Sequence, residues 1–264
     1  MIARFLLAAL GAGLLAGLLV TPVQYARVVP LILHAEAYED GGSEGHDHHA
    51  ASLLIAPAQA ATLDRAFEEA PGLFGGSVVL AHSPADEDEG SAALVESRLL
   101  GTILANLVTG AGFALILAAA SLLVAVPITA ANGAVWGLIG FAVLQLAPAI
   151  GLAPELPAMP AGDLAGRQAW WIATVLLSSL GAYALILRPQ PVLKAAGVFA
   201  ILLPHVVGAP IPADLASPVP PTLAAEFAVA SLATAAIFWT LLGFTAGHAF
   251  DRMRRSEPQL SRAA

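Results

Sequence analysis

Just past the first long apolar run the chain reads His34-Ala-Glu36-Ala-Tyr-Glu39-Asp40, then His46-Asp47-His48-His49. Four of the seven histidines lie within residues 34–49, together with five carboxylates. Neutral imidazole suits zinc, nickel, copper and cobalt, and carboxylate adds charge and oxygen ligands. If the preceding helix runs on through residue 40, Glu36 and Asp40 share a face at i, i+4, as do His34 and Tyr38. His46 and His48 are placed to chelate from a loop. The chemistry this points to is capture of a divalent metal ion. The plain alternative is a solvated loop whose histidines hold nothing. No H-E-x-x-H is present, so a metalloprotease is unsupported.

A second group is Pro154-Glu155-Leu156-Pro157, followed by Asp163, Arg167-Gln168 and Trp170-Trp171. The paired prolines predict a stiff loop, across which Glu155 and Arg167 can pair. Trp170 and Trp171 fit an aromatic belt at a membrane interface. A third group is Pro204-His205-Val-Val-Gly208-Ala-Pro210. Histidine inside a membrane segment is expensive and points to a pathway or an internal partner. The bland reading is a structural histidine bonded to a backbone carbonyl. Asn106 and Gln145 read as helix-to-helix glue. His82 and His248 read as structural or solvated.

The elements that must carry these groups are membrane helices. Of 264 residues, 58% are hydrophobic and 11% charged, where soluble domains carry about 25% charged residues. The mean hydropathy is +0.79. There is no cysteine, which excludes disulfides, thiolate metal sites and cysteine nucleophiles. A net charge of −8 argues against nucleic acid as a partner. Residues 34–97 hold thirteen acids and one base, Arg65, so this segment favours cations.

A span needs roughly 20 apolar residues. The candidates are 4–33, 98–126, 130–151, 168–188, 192–210 and 222–250. The first carries Gly13-Leu-Leu-Ala-Gly17, a spacing that lets helices approach closely. It could instead be read as a signal peptide, but its apolar run is too long for one. The fifth is interrupted by Pro204, and a kinked or re-entrant segment is the alternative there. With six spans and both ends inside, the inner side holds seven bases: Arg4, Arg188, Lys194, Arg252, Arg254, Arg255 and Arg262. The outer side holds four: Arg27, Arg65, Arg98 and Arg167. The positive-inside rule therefore places the acidic histidine segment outside. The chain divides into a first membrane helix with its acidic, histidine-bearing end (1–40), an extramembrane loop (41–97) with a short amphipathic helix over 61–70, a five-helix membrane bundle (98–251) and a basic cytoplasmic tail (252–264).

Taken in order, the glycine-rich first helix, His34–Glu39 with the following histidines, Pro154-Glu155-Leu156-Pro157, Arg167-Gln168 with Trp170-Trp171, and Pro204-His205 with Gly208-Ala209-Pro210 resemble the CbtA family of cobalt transporter subunits. The resemblance spans nearly the whole chain. It implies a multi-pass protein of the bacterial cytoplasmic (inner) membrane that takes up cobalt(II) in connection with cobalamin synthesis. It also implies a small partner, CbtB, with one span and its own histidines. The family is often described with five spans, where the charge count favours six.

The expected fold is thus an all-α, polytopic membrane helix bundle of six spans, with five as the alternative. The expected substrate is cobalt(II), with nickel or zinc possible on the ligand chemistry alone. Candidate metal ligands are His34, Glu36, Glu39, His46, His48, His49 and His205. Glu155, Asp163, Arg167, Trp170 and Trp171 are the candidates for the route or its gating. No P-loop is present, so this chain does not hydrolyse ATP. No nucleophile, base or cofactor motif marks an enzyme. The competing reading is a membrane subunit that senses or delivers metal without conducting it.

Overall fold

The computed structural model describes residues 2–40 and 87–260, and among these every regular element is helical. The elements are α1 (Ile2–Arg27), α2 (Val29–Asp40), α3 (Glu87–Leu123), α4 (Gly133–Phe141), a π-helical turn (Ala142–Leu146), α5 (Ala147–Gly151), α6 (Leu164–Leu187), α7 (Pro191–Val207) and α8 (Pro221–Leu260). Helices α1, α3, α6 and α8, together with the continuous segment Gly133–Gly151, are long and apolar enough to cross a membrane. Many large apolar side chains lie exposed on them, among them Leu18, Leu104, Val108, Ile116, Leu176 and Leu180. Such a surface is stable only against lipid or another apolar surface.

Local sequence accounts for the boundaries. Pro191 and Pro221 begin α7 and α8, where a missing N–H costs nothing. Asp163 caps α6 by accepting from the Gly166 N–H at 2.7 Å. The π turn sits one turn before Pro148, and the Ala147 N–H reaches back to the Ala142 carbonyl. That wider turn relieves the clash between a proline ring and the carbonyl four residues earlier. Gly208, with φ of 87°, ends α7 in a conformation that suits glycine. Helix α3 starts at Glu87, eleven residues ahead of the expected span, and its acidic opening suits a helix N-terminus.

Neighbouring segments run α3, α1, α8, α4, then through the π turn and α5 to α6, and α7. Glycine sets the closest approaches. A Cβ on Gly13 would lie 2.2 Å from the Gly110 carbonyl oxygen, and one on Gly17 would lie 2.1 Å from that of Asn106. The Asn106 side chain donates to Thr21 Oγ1 at 2.9 Å, so Asn106 does serve as glue between α1 and α3. Gly133 and Gly137 meet Gly243 and Trp239 of α8 equally closely. Helix α7 has 17 residues, about 26 Å at 1.5 Å per residue. It folds back along α6, with Gly181 against Gly197 near one end and Trp170 against Pro204 near the other. It therefore returns the chain to the level at which α6 began. Both ends of the described chain lie together, as Phe5 stacks on Phe250 with ring centroids 4.5 Å apart.

Candidate functional site

The opposite end of the bundle gathers the described parts of the three groups singled out in the sequence. Helix α2 extends the first span through Asp40, which is why His34 and Tyr38 meet, their ring centroids 5.9 Å apart. The His34 ring is exposed. Glu36 holds Arg98 of α3 in a two-pronged ion pair, 3.1 Å from Nη1 to Oε1 and 2.9 Å from Nη2 to Oε2. Both Glu36 oxygens are thus engaged by a guanidinium. Arg98 entered the sequence reading only as a counted charge; the lone base where an acidic run meets an apolar one was the available signal. Asp40 closes α2, and the side chains of Glu39 and Asp40 lie outside the described part of the structure. His46, His48, His49, His82 and the 61–70 segment lie outside the described residues.

Leu156 explains how the proline-rich loop is held. It is buried with Val28, Ile32 and Ala35 of the α1–α2 hairpinless continuation and with Val219, Leu223 and Phe227 at the start of α8. Burying an apolar side chain of this size contributes roughly 1.5–3 kcal/mol. With Pro154 and Leu156 turned inward, Glu155 between them is half-exposed and takes Arg167 Nη2 at 2.7 Å. The pairing expected across the loop is present.

The second and third groups prove to be one assembly. Trp170 is 8% exposed and its Nε1 donates to the Pro204 carbonyl at 3.1 Å. The same carbonyl accepts the Gly208 N–H at 3.0 Å. Trp170 is therefore a buried bracket between α6 and α7, not a belt residue; its indole N–H finds its partner inside the protein. Trp171 is half-exposed. A Cβ on Gly151 would strike the Trp170 ring, and Gly162 and Gly166 lie against Pro210. The 208–212 segment is thereby seated on the start of α6.

His205 stands edge-on to Trp170, ring centroids 5.8 Å apart. Both of its ring nitrogens are buried and neither bonds to any described residue. Each unpartnered buried polar group costs about 1–3 kcal/mol, so this one needs a reason. Trp239 Nε1 and the hydroxyls of Ser178 and Ser231 are also unpartnered, but an indole N–H only donates and cannot hold a cation, and a neutral hydroxyl is a poorer ligand than imidazole for a transition metal. An imidazole nitrogen can hold such a cation. Pro204, beside it, has no N–H to give the carbonyl of residue 200, which leaves a second polar atom of α7 without its helical donor.

Among the described residues no three of His, Asp or Glu stand close enough to form a metal site. Asp163 acts as a helix cap, and His248 bonds at Nδ1 to the Phe244 carbonyl at 2.9 Å near the other end of the bundle. The arrangement at the 34–40 and 154–210 end is two neutralised carboxylate–guanidinium pairs and one imidazole whose two nitrogens are buried and without partners among the described residues. It can offer a nitrogen donor to a cation that has shed water, and it can release carboxylates if either pair opens.

The family model described as probable cobalt transporter subunit (CbtA) matches residues 2–251. No curated protein and no solved structure matches the chain.

Proposed function

The chain belongs to the CbtA family, described as probable cobalt transporter subunits, and from that premise we propose that it carries cobalt(II) inward across the bacterial cytoplasmic membrane with a small, single-span, CbtB-like partner. The end that bears α2 and the 154–167 loop faces outward in this reading, in keeping with the seven bases against four. His34, Glu39, His46, His48 and His49 raise the local metal concentration. Glu36 and Glu155 are reserve ligands, freed when their arginines swing away. His205, with two buried nitrogens that lack partners, is the observation that carries the proposal. It receives the ion where the Pro204–Gly208 turn opens α7. The membrane potential favours cation entry by about 2.3 kcal/mol per charge per 100 mV, and roughly twice that for a divalent ion.

A second reading has its own support. Among the described residues no cluster of three ligands exists, which suits a subunit that senses or delivers metal without conducting it. Purified protein in liposomes, with a metal-quenched dye inside and a potassium-valinomycin potential applied, separates the two. Cobalt entry that grows with an inside-negative potential is expected, and the small subunit should increase it. Metal bound at the outer surface with no entry under any potential, partner present, would favour the sensing or delivery role. Competition by nickel and zinc in the same assay ranks the substrates.

A further inference from the structure

At the end of the bundle remote from this site, α1 and α8 pack together, and one side of their seam is left open. A groove of about 760 Å³ runs between them. Its apolar length is formed by Gly11, Leu15 and Phe244, and its mouth by His248, Arg252 and Arg255. The floor is firm, since Thr245 Oγ1 bonds the Ala12 carbonyl at 3.1 Å and Ala12, Ala16 and Ala246 are buried beneath it. Gly11 leaves the room, because a Cβ there would meet nothing within 4 Å.

Arg252, Arg254 and Arg255 have different duties. Arg254 is spent on structure: it bonds the Ile128 carbonyl at 2.7 Å and pairs with Asp251, whose other oxygen takes the Ala130 N–H at 2.8 Å. Arg252 and Arg255, one helical turn apart, are exposed at the groove's mouth. Arg4 lies at i−4, i−7 and i−11 from Ala8, Gly11 and Leu15, which places it on the same stripe of α1. No carboxylate lines the groove among the described residues. The site is cationic where the apolar helices end and apolar along the length that follows.

We propose that this groove seats an anionic phospholipid, its phosphate between Arg252 and Arg255 and one acyl chain along Gly11, Leu15 and Phe244. Guanidinium binds phosphate oxygens in a two-pronged, charge-assisted geometry. A zwitterionic headgroup brings its own cation and loses that complementarity. A free phosphate would use the mouth and leave the apolar length empty, so the lipid is the occupant that uses both parts. The proposal is independent of the transport reading.

The test is native mass spectrometry and thermal unfolding of the full chain in a neutral detergent. Phosphatidylglycerol, phosphatidylcholine and inorganic phosphate are each added to wild type, R252Q/R255Q and G11L. The expected result is retained phosphatidylglycerol on wild type, with a raised unfolding midpoint, and no effect of phosphatidylcholine or inorganic phosphate. R252Q/R255Q removes the headgroup contact, and G11L fills the acyl track while leaving both arginines; each should lose the bound lipid and the shift. Arg254 is left intact so that the double variant folds. Equal retention of phosphatidylglycerol by R252Q/R255Q, or a shift reproduced by inorganic phosphate or phosphatidylcholine, overturns the proposal. So does a wild-type dimer, or a copurifying small membrane protein, that blocks lipid from the groove and is lost in G11L.

Discussion

His205 is the side chain whose situation is hardest to explain without a ligand. Its neighbours Pro204 and Trp170 are bonded to each other, its two nitrogens are buried, and neither has a partner among the described residues. Replacing such a group by an apolar one of similar size is close to neutral or stabilising, because the unmet polar cost disappears. His205→Leu should therefore unfold at the same temperature as wild type or higher, while maximal uptake falls. Loss of a partner of a ligand typically costs about 10–100-fold in affinity or activity, and loss of the ligand itself should cost at least that. His205→Gln should transport as poorly, since glutamine is a weak metal ligand. The measurements are uptake per folded molecule in liposomes and thermal unfolding in detergent. A destabilised His205→Leu with full uptake per molecule would make His205 structural and leave Glu155 as the leading residue of the route. The carboxylates were legible as residue types, and so was the Glu155–Arg167 pair, because twelve residues of proline-rich loop bring the two together. The Glu36–Arg98 pair was not, because it joins positions 62 apart in the chain.

At the scale of elements, close packing does the work that a water-driven hydrophobic effect does in soluble proteins, because lipid tails are as apolar as leucine. Gly17 meets the Asn106 backbone and Gly137 meets that of Trp239, with a Cβ at 2.1 and 1.9 Å respectively. Gly17→Leu and Gly137→Leu should each lower stability by about 1–3 kcal/mol or more, since the obstacle is backbone and cannot step aside. Gly112→Leu is the control, because Gly112 is exposed and a Cβ there meets nothing within 4 Å. Urea-in-detergent unfolding of the three variants checks this, and equal losses in all three would remove the packing argument. The Gly13–Gly17 spacing announced one of these crossings. The equivalent spacing at Gly133–Gly137 and Gly243–Gly247 announced another and went unread, because glycine is common in membrane helices and a spacing does not say which helix it faces. Helix α7 was the doubtful span on account of Pro204. Its proline sits in the last turn, where it ends the helix and does not break it.

For the whole molecule, five helical segments are long and apolar enough to cross a membrane, and α7, a shorter apolar helix that runs back along α6, is the candidate for a sixth traverse. Because the chain has no cysteine, single cysteines report sidedness directly. Ala37→Cys and Ala213→Cys should react with an impermeant reagent in intact spheroplasts, and Gln190→Cys only after lysis. All three positions are exposed. Labelling of 190 and 213 from the same side would remove α7 from the set of spans, and labelling of 190 alone in intact cells would invert the molecule.

The sequence by itself determined the class, the element order and the charge asymmetry between the two ends. Apolar run length and the distribution of arginine and acid are properties of the linear chain, and they constrain a helix in lipid strongly. The family could be read the same way, from motifs in order along the chain, and the match over residues 2–251 agrees with it. What only the tertiary structure decided is which of those motifs are neighbours. Trp170 turned from interface to interior because α7 offers the Pro204 carbonyl at the right height. Glu36 gained an arginine because α3 brings Arg98 beside α2. His205 was left without a partner among the described residues because the Trp170 indole beside it gives its N–H to the Pro204 carbonyl. Each of these depends on helix pairing, and pairing in a membrane is set by shape, where small residues allow backbones to touch, and not by a pattern that one segment carries alone.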